Sequence, residues 1–117
     1  MKNKDLEDLK MKLAKFAQDR DWDKFHSPKN LVMALAGESG ELVELFQWLT
    51  ESDSQNLSDK QKHRVEEEIA DIFLYLLRLS AKLDIDLIEA ANSKILINEI
   101  KYPIERCYGL SNKYTDL

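Results

Sequence analysis

The 117 residues are enough for one domain with a real core and too few for two. A composition of 44% hydrophobic and 33% charged residues is that of a globular protein, and a net charge of -5 excludes a surface built to neutralise nucleic-acid phosphates or an anionic membrane. A single cysteine, Cys107, excludes an intrachain disulfide and suits a reducing compartment; the charged start MKNKDLEDLKMKLAKF has no apolar signal region, and no apolar run nears the roughly 20 residues of a membrane helix, so a cytoplasmic protein is expected.

In chain order, Leu6, Leu9, Leu13 and Phe16 are spaced 3, 4 and 3, which predicts an amphipathic helix over 4–20. Residues 21–27 read as a connector. Ser27-Pro28 is a start signal, a capping hydroxyl followed by a proline whose missing N–H costs nothing at the first helical position. The helix it opens is expected to run to about Thr50. Gly37 and Gly40 interrupt it at about 1 kcal/mol each relative to alanine, which suggests close approach of a neighbouring helix, a metal or a ligand.

The polar residues 51–57 read as a surface loop, and Ser58 with Gln61 is a capping box opening a third helix through Leu83. Its second half, from Ile69 to Leu79, is apolar on most sides, more than a small bundle covers alone; a homo-oligomer, dimer or tetramer, is expected. Asp86 with Glu89 opens a fourth helix that ends before Pro103 and packs through Ile88, Ala91, Ile95 and Ile100. Beyond Pro103 no period remains and an irregular tail is expected. The predicted fold is all-α, a single domain over 1–117 with a four-helix-bundle-type core.

Two carboxylate pairs stand out. Glu38 and Glu41 share one helix face, as do Glu68 and Asp71, each pair among mostly aliphatic neighbours. Crowded acids in a poorly solvated place repel one another and lose hydration unless something compensates. A solvated face is the plain reading, and Glu44, Glu66 and Glu67 suit it. A di-iron carboxylate site would need a histidine three residues after a glutamate on two helices, and His26 and His63 fall elsewhere. Carboxylates without imidazole or thiolate favour Mg²⁺, with Mn²⁺ as an alternative, and such ions leave positions for water and phosphate oxygens. Trp48, two turns after Glu41 if the helix continues, and Tyr75, one turn after Asp71, are placed either to stack a base or to fill the core. Lys94 and Asn98 on the fourth helix read either as phosphate contacts or as a solvated stripe.

GESGE (37–41) followed by EIAD (68–71) resembles the paired signature of the MazG-like all-α nucleoside triphosphate pyrophosphohydrolases. RDWDKFHSPKNLVMALAGESGELVELFQW, EEEIADIFLYLL, SKILINEIKYP and the terminal KYTDL are similar to its dCTP pyrophosphatase branch. The chain departs from the pattern at Gly37, where that family commonly has glutamate. The resemblance implies hydrolysis of a nucleoside triphosphate, a dNTP such as dCTP, to monophosphate and pyrophosphate with Mg²⁺ in a homo-oligomer, as house-cleaning of the nucleotide pool. By position it assigns metal and catalysis to Glu38, Glu41, Glu68 and Asp71, the base to Trp22, Trp48 and Tyr75, and phosphates to Lys94 and Asn98. For His26, in the connector, a structural hydrogen bond is expected. The rival expectation is a non-catalytic nucleotide-binding or helical interaction protein whose acids form a structural network.

Overall fold

Every long helix opens on a side-chain cap. Asn3 accepts from the backbone N–H of Leu6, Ser27 from Asn30, Ser58 from Gln61 and Asp86 from Glu89. The Ser58 cap is reciprocal, since the Gln61 side chain accepts from the Ser58 N–H at 2.9 Å. Each such cap contributes about 1 kcal/mol by satisfying a donor that the helix leaves orphaned. In the computed structural model, which describes residues 3–117, these caps start α1 (Lys4–Asp19), α2 (Pro28–Phe46), α4 (Asp59–Lys82) and α5 (Leu87–Lys101). Single helical turns form α3 (Glu51–Ser54) and α6 (Ile104–Cys107), with 3₁₀ turns at Asp23–Phe25 and Tyr114–Asp116. No strand occurs among the described residues.

Two departures from expectation, the end of α2 and the helical turn after it, have one cause. Helix α2 stops at Phe46 rather than near Thr50, because Thr50 is itself a cap: its hydroxyl accepts from the Asp53 N–H at 3.0 Å and starts α3. Residues 51–57, expected as loop, therefore contain a helical turn. Helices α1 and α4 are each followed by an aspartate in the left-handed region, Asp21 and Asp84, both at φ 55°. Aspartate tolerates that conformation better than most residues, and it turns the chain sharply out of each helix.

The chain divides into two compact units, 1–84 and 85–117. In the first, α4 packs extensively on α2 and more lightly on α1, burying Ala17, Leu31 and Leu77. Three long helices, α1, α2 and α4, build this unit. Its glycines do not sit at a helix crossing within it: a Cβ added at Gly37 or Gly40 would meet nothing within 4 Å. In the second unit α5 has no buried residue, so Ile88, Ile95 and Ile100, its expected packing face, are exposed. The tail is more ordered than its lack of period suggested. Tyr102 meets Tyr114 edge to face at 6.1 Å, the Lys101 ammonium lies over the Tyr114 ring, and Arg106 donates to the Leu117 carbonyl at 2.6 Å.

Candidate active site

The α2–α4 contact brings the acids together. Glu38 and Glu41 from α2 meet Glu68 from α4, one carboxylate oxygen of each lying within 4.8 Å of the others. Glu38 and Glu68 are half-buried, and one oxygen of each, Oε2, is shielded from solvent with no hydrogen-bond partner. No lysine or arginine forms a salt bridge with any of the three among the described residues. Burial, hydrogen bonding with Glu68 and Glu41, and the charges of Glu41 and Asp71 push the Glu38 carboxyl up to about 7. Orphaned acceptors and a carboxylate that keeps its proton near neutrality are the marks of a cluster short of positive charge. A divalent cation fits this all-oxygen donor set. The fourth acid, Asp71, is exposed and stands outside the three-carboxylate cluster, close enough for its charge to act on Glu38.

Beside the cluster lies a cleft of about 160 Å³ walled by Phe16, His26, Glu38, Asp71, Tyr75 and Arg78. Tyr75 is thus where a ring next to the acids was expected. Trp22 is not in the wall; its ring packs against that of Phe16 in a T-shaped arrangement, with centroids 5.7 Å apart. Trp48, expected inside α2, lies two residues beyond its end at Phe46, in the turn before α3, and is 87% exposed. Lys94 and Asn98 are exposed, one turn apart on α5 in the second unit.

The far end of the cleft is held by a network that sequence reasoning missed. The Arg78 side chain is only 11% exposed; its Nε donates to His26 Nδ1 at 3.3 Å and its Nη2 to Asp23 Oδ1 at 2.6 Å. Lys82 pairs with the same Asp23 oxygen. These bonds tie the 3₁₀ turn of the connector to α4, and the hydrogen bond expected of His26 is among them. The hydrogen bond from Lys82, together with the Lys82 and Arg78 charges, holds the Asp23 carboxyl below its usual pKa. Burial, then the Arg78 and Lys82 charges, lower that of His26 against the opposing pull of Asp23. A signal for Arg78 was present: it follows Asp71 by seven residues and Tyr75 by three, which puts all three on one face of α4.

The MazG-like family profile matches residues 35–117, a span holding all four acids. The chain belongs to the MazG-like family. This MazG-like chain is 45% identical to the mouse dCTP pyrophosphatase 1 and 44% identical to the human one, in each case over 96% of its own length and 67% of the relative's. Its fold is similar to that of a pyrophosphatase from Archaeoglobus fulgidus solved by crystallography, with a TM-score of 0.80 at 41% identity, covering 88% of this chain and 96% of that one. These relatives extend the likeness upstream of the family match, into the part of the chain that carries Trp22, Asp23 and His26.

Proposed function

We propose that this chain hydrolyses a deoxynucleoside triphosphate, dCTP or a related or modified nucleotide, to the monophosphate and pyrophosphate, with Mg²⁺ or Mn²⁺ held by Glu38, Glu41, Glu68 and Asp71. Membership of the MazG-like family and relatives named as pyrophosphatases make it a nucleoside triphosphate pyrophosphohydrolase. The observation that carries the metal assignment is the pair of buried Oε2 atoms of Glu38 and Glu68, acceptors left without a donor inside a cluster that already repels itself. Bound there, the ion would polarise a phosphoryl oxygen and acidify a water. The protein supplies the rest. Asp71, exposed in the wall of the cleft, completes the ligand set. Tyr75, one turn further along α4, lies against the base, and the Phe16 wall, on which Trp22 packs, limits its thickness. The family resemblance assigns the phosphate contacts to Lys94 and Asn98 of α5.

The same reading takes 1–117 as one working domain, acting in the cytoplasm as a dimer or tetramer to clear unwanted nucleotides. Assembly is supported by the apolar side chains left bare on α2 and α4, among them Val32, Met33, Val43 and Ile69. The rival, a structural acidic network in a non-catalytic protein, finds no support, because such a network needs cationic partners and these acids have none among the described residues. The test is product analysis across canonical and modified dNTPs with and without Mg²⁺. Monophosphate plus pyrophosphate, dependent on the metal, is expected; no turnover of any nucleotide would refute the reading.

A further inference from the structure

The network at the far end of the cleft has a feature that pinning a turn does not need. A guanidinium carries five N–H donors in a planar fork. In Arg78, Nε–H is taken by His26 and one Nη2–H by Asp23. Nε and Nη2 lie on the same side of the fork, so these two bonds use that edge and leave the terminal edge, one N–H from each Nη, without a protein partner among the described residues. The side chain nonetheless lines the cleft. It is thus a charged, nearly buried donor pair, fixed in orientation by two bonds from behind.

Its distance from the acids sets what it can meet. Along α4, Asp71, Tyr75 and Arg78 follow one another over two helical turns, about 10 Å. If phosphates lie at the carboxylate end and the base lies against Tyr75, as the proposed function requires, Arg78 faces the edge of the base and not the phosphates.

We propose that Arg78 is a specificity-determining residue, whose terminal N–H pair reads the O2/N3 acceptor edge of a cytosine held in the cleft, with Asp23 and His26 holding the fork in register. The inference rests on the nucleotide reading of this site and deepens it. The chemistry is that of base pairing itself: guanine meets cytosine through two parallel N–H groups of a guanidine fragment, directed at N3 and O2, and an arginine fork carries the same pair with a full charge. Uracil and thymine place an N–H at position 3. There a donor would face a donor, and a buried guanidinium edge would stay unpaired, which is the arrangement by which polar sites reject near-isosteric substrates. A flexible lysine ammonium offers no such parallel pair.

The test compares dCTP, dUTP and 3-deaza-dCTP, in which a C–H replaces the N3 acceptor, on the full chain with Mg²⁺. Wild type is expected to favour dCTP over both others by roughly 10- to 100-fold in kcat/KM, the range of one bidentate base contact, mostly through KM. Arg78→Lys keeps a cation beside Asp23, and its discrimination is expected to shrink to within about threefold, with the larger loss on dCTP. Equal treatment of dCTP and 3-deaza-dCTP by the wild type would overturn the proposal, and that arm needs no variant to fold. A uniform loss across all three nucleotides in Arg78→Lys would overturn it as well, leaving Arg78 only a pin for the turn. Should no nucleotide be turned over, the hydrolase reading fails by itself; calorimetric titration with dCTP and 3-deaza-dCTP then decides, tighter binding of dCTP supporting the base contact and equal or no binding overturning it.

Discussion

Glu38 on α2 and Glu68 on α4 approach each other across the α2–α4 contact, their carboxylate oxygens within 4.8 Å, and each keeps one buried oxygen with no hydrogen-bond partner. Two acids in this relationship destabilise the fold in proportion to their charge, and whatever neutralises them stabilises it.

This gives a pH dependence whose sign can be worked out. Glu38 titrates at about 7 in the folded chain against an ordinary 4.5, so between those values the folded state binds more protons than the unfolded one. Stability contributed by this group is therefore present at low pH and falls as pH rises through the window from 4.5 to about 7. His26, with its pKa lowered, acts in the opposite sense, costing stability as pH falls below its usual value of 6.5. In excess chelator, thermal unfolding of wild type and Glu38→Gln should diverge: the variant loses the Glu38 decline and is relatively more stable at about pH 8 than at about pH 5. Mg²⁺ should raise the Tm of wild type most at the higher pH. Parallel Tm profiles for the two proteins would show that Glu38 is not the group under strain.

Removing one ligand should separate folding from turnover. Glu68→Ala deletes a repelling carboxylate from the cluster, so the metal-free helical fold should hold its Tm or gain slightly. Turnover should fall at least roughly 100-fold, since several kcal/mol of charge stabilisation go with the cation. Asp71→Ala should lose activity to a similar degree with little change in Tm, because Asp71 is exposed. Activity of either variant close to that of wild type would remove that residue from the ligand set.

Much of this was legible in local residues. The starts of α2, α4 and α5 were readable because a cap acts over three residues, and the acids because the i, i+3 spacing puts pairs on one helix face. The end of α2 was not, since neither glycine nor proline marks it and the Thr50 cap that replaces them belongs to the next helical turn. The Arg78–His26 bond joins residues 52 positions apart, and only the packing of the connector on α4 creates it. The division into two compact units depends on how helices contact one another rather than on where each begins.

The aromatic residues now make unequal predictions. Tyr75 lines the cleft, and stacking of a base on such a ring is worth roughly 1 to 3 kcal/mol, so Tyr75→Ala should raise KM about tenfold or more with a smaller effect on kcat. Trp22 packs on Phe16 and is not in the cleft wall, so Trp22→Ala should lower the Tm and raise KM less than Tyr75→Ala does. Steady-state kinetics of both variants on one nucleotide decide the order. A larger KM effect at Trp22 would mean that its ring, not Tyr75, faces the base.

Assembly is the last expectation, and the surface of α2 gives it a specific form. Val32 is nearly half exposed and Met33 and Val43 more than half, and the neighbouring Gly37 and Gly40 have open space where a side chain would project. Water gains nothing from a bare glycine on a helix face, and each glycine costs the helix about 1 kcal/mol relative to alanine, a cost that close approach of another backbone would offset. A self-complementary contact between copies of this face is the simplest closed arrangement. Sedimentation at micromolar concentration should therefore report a dimer or a tetramer. Met33→Glu, at a position 62% exposed in the single chain, should shift the population toward monomer while preserving the helical signal. A wild-type chain that sediments as a well-folded monomer would show that these residues face water by design, and the cost of Gly37 and Gly40 would then need a different explanation.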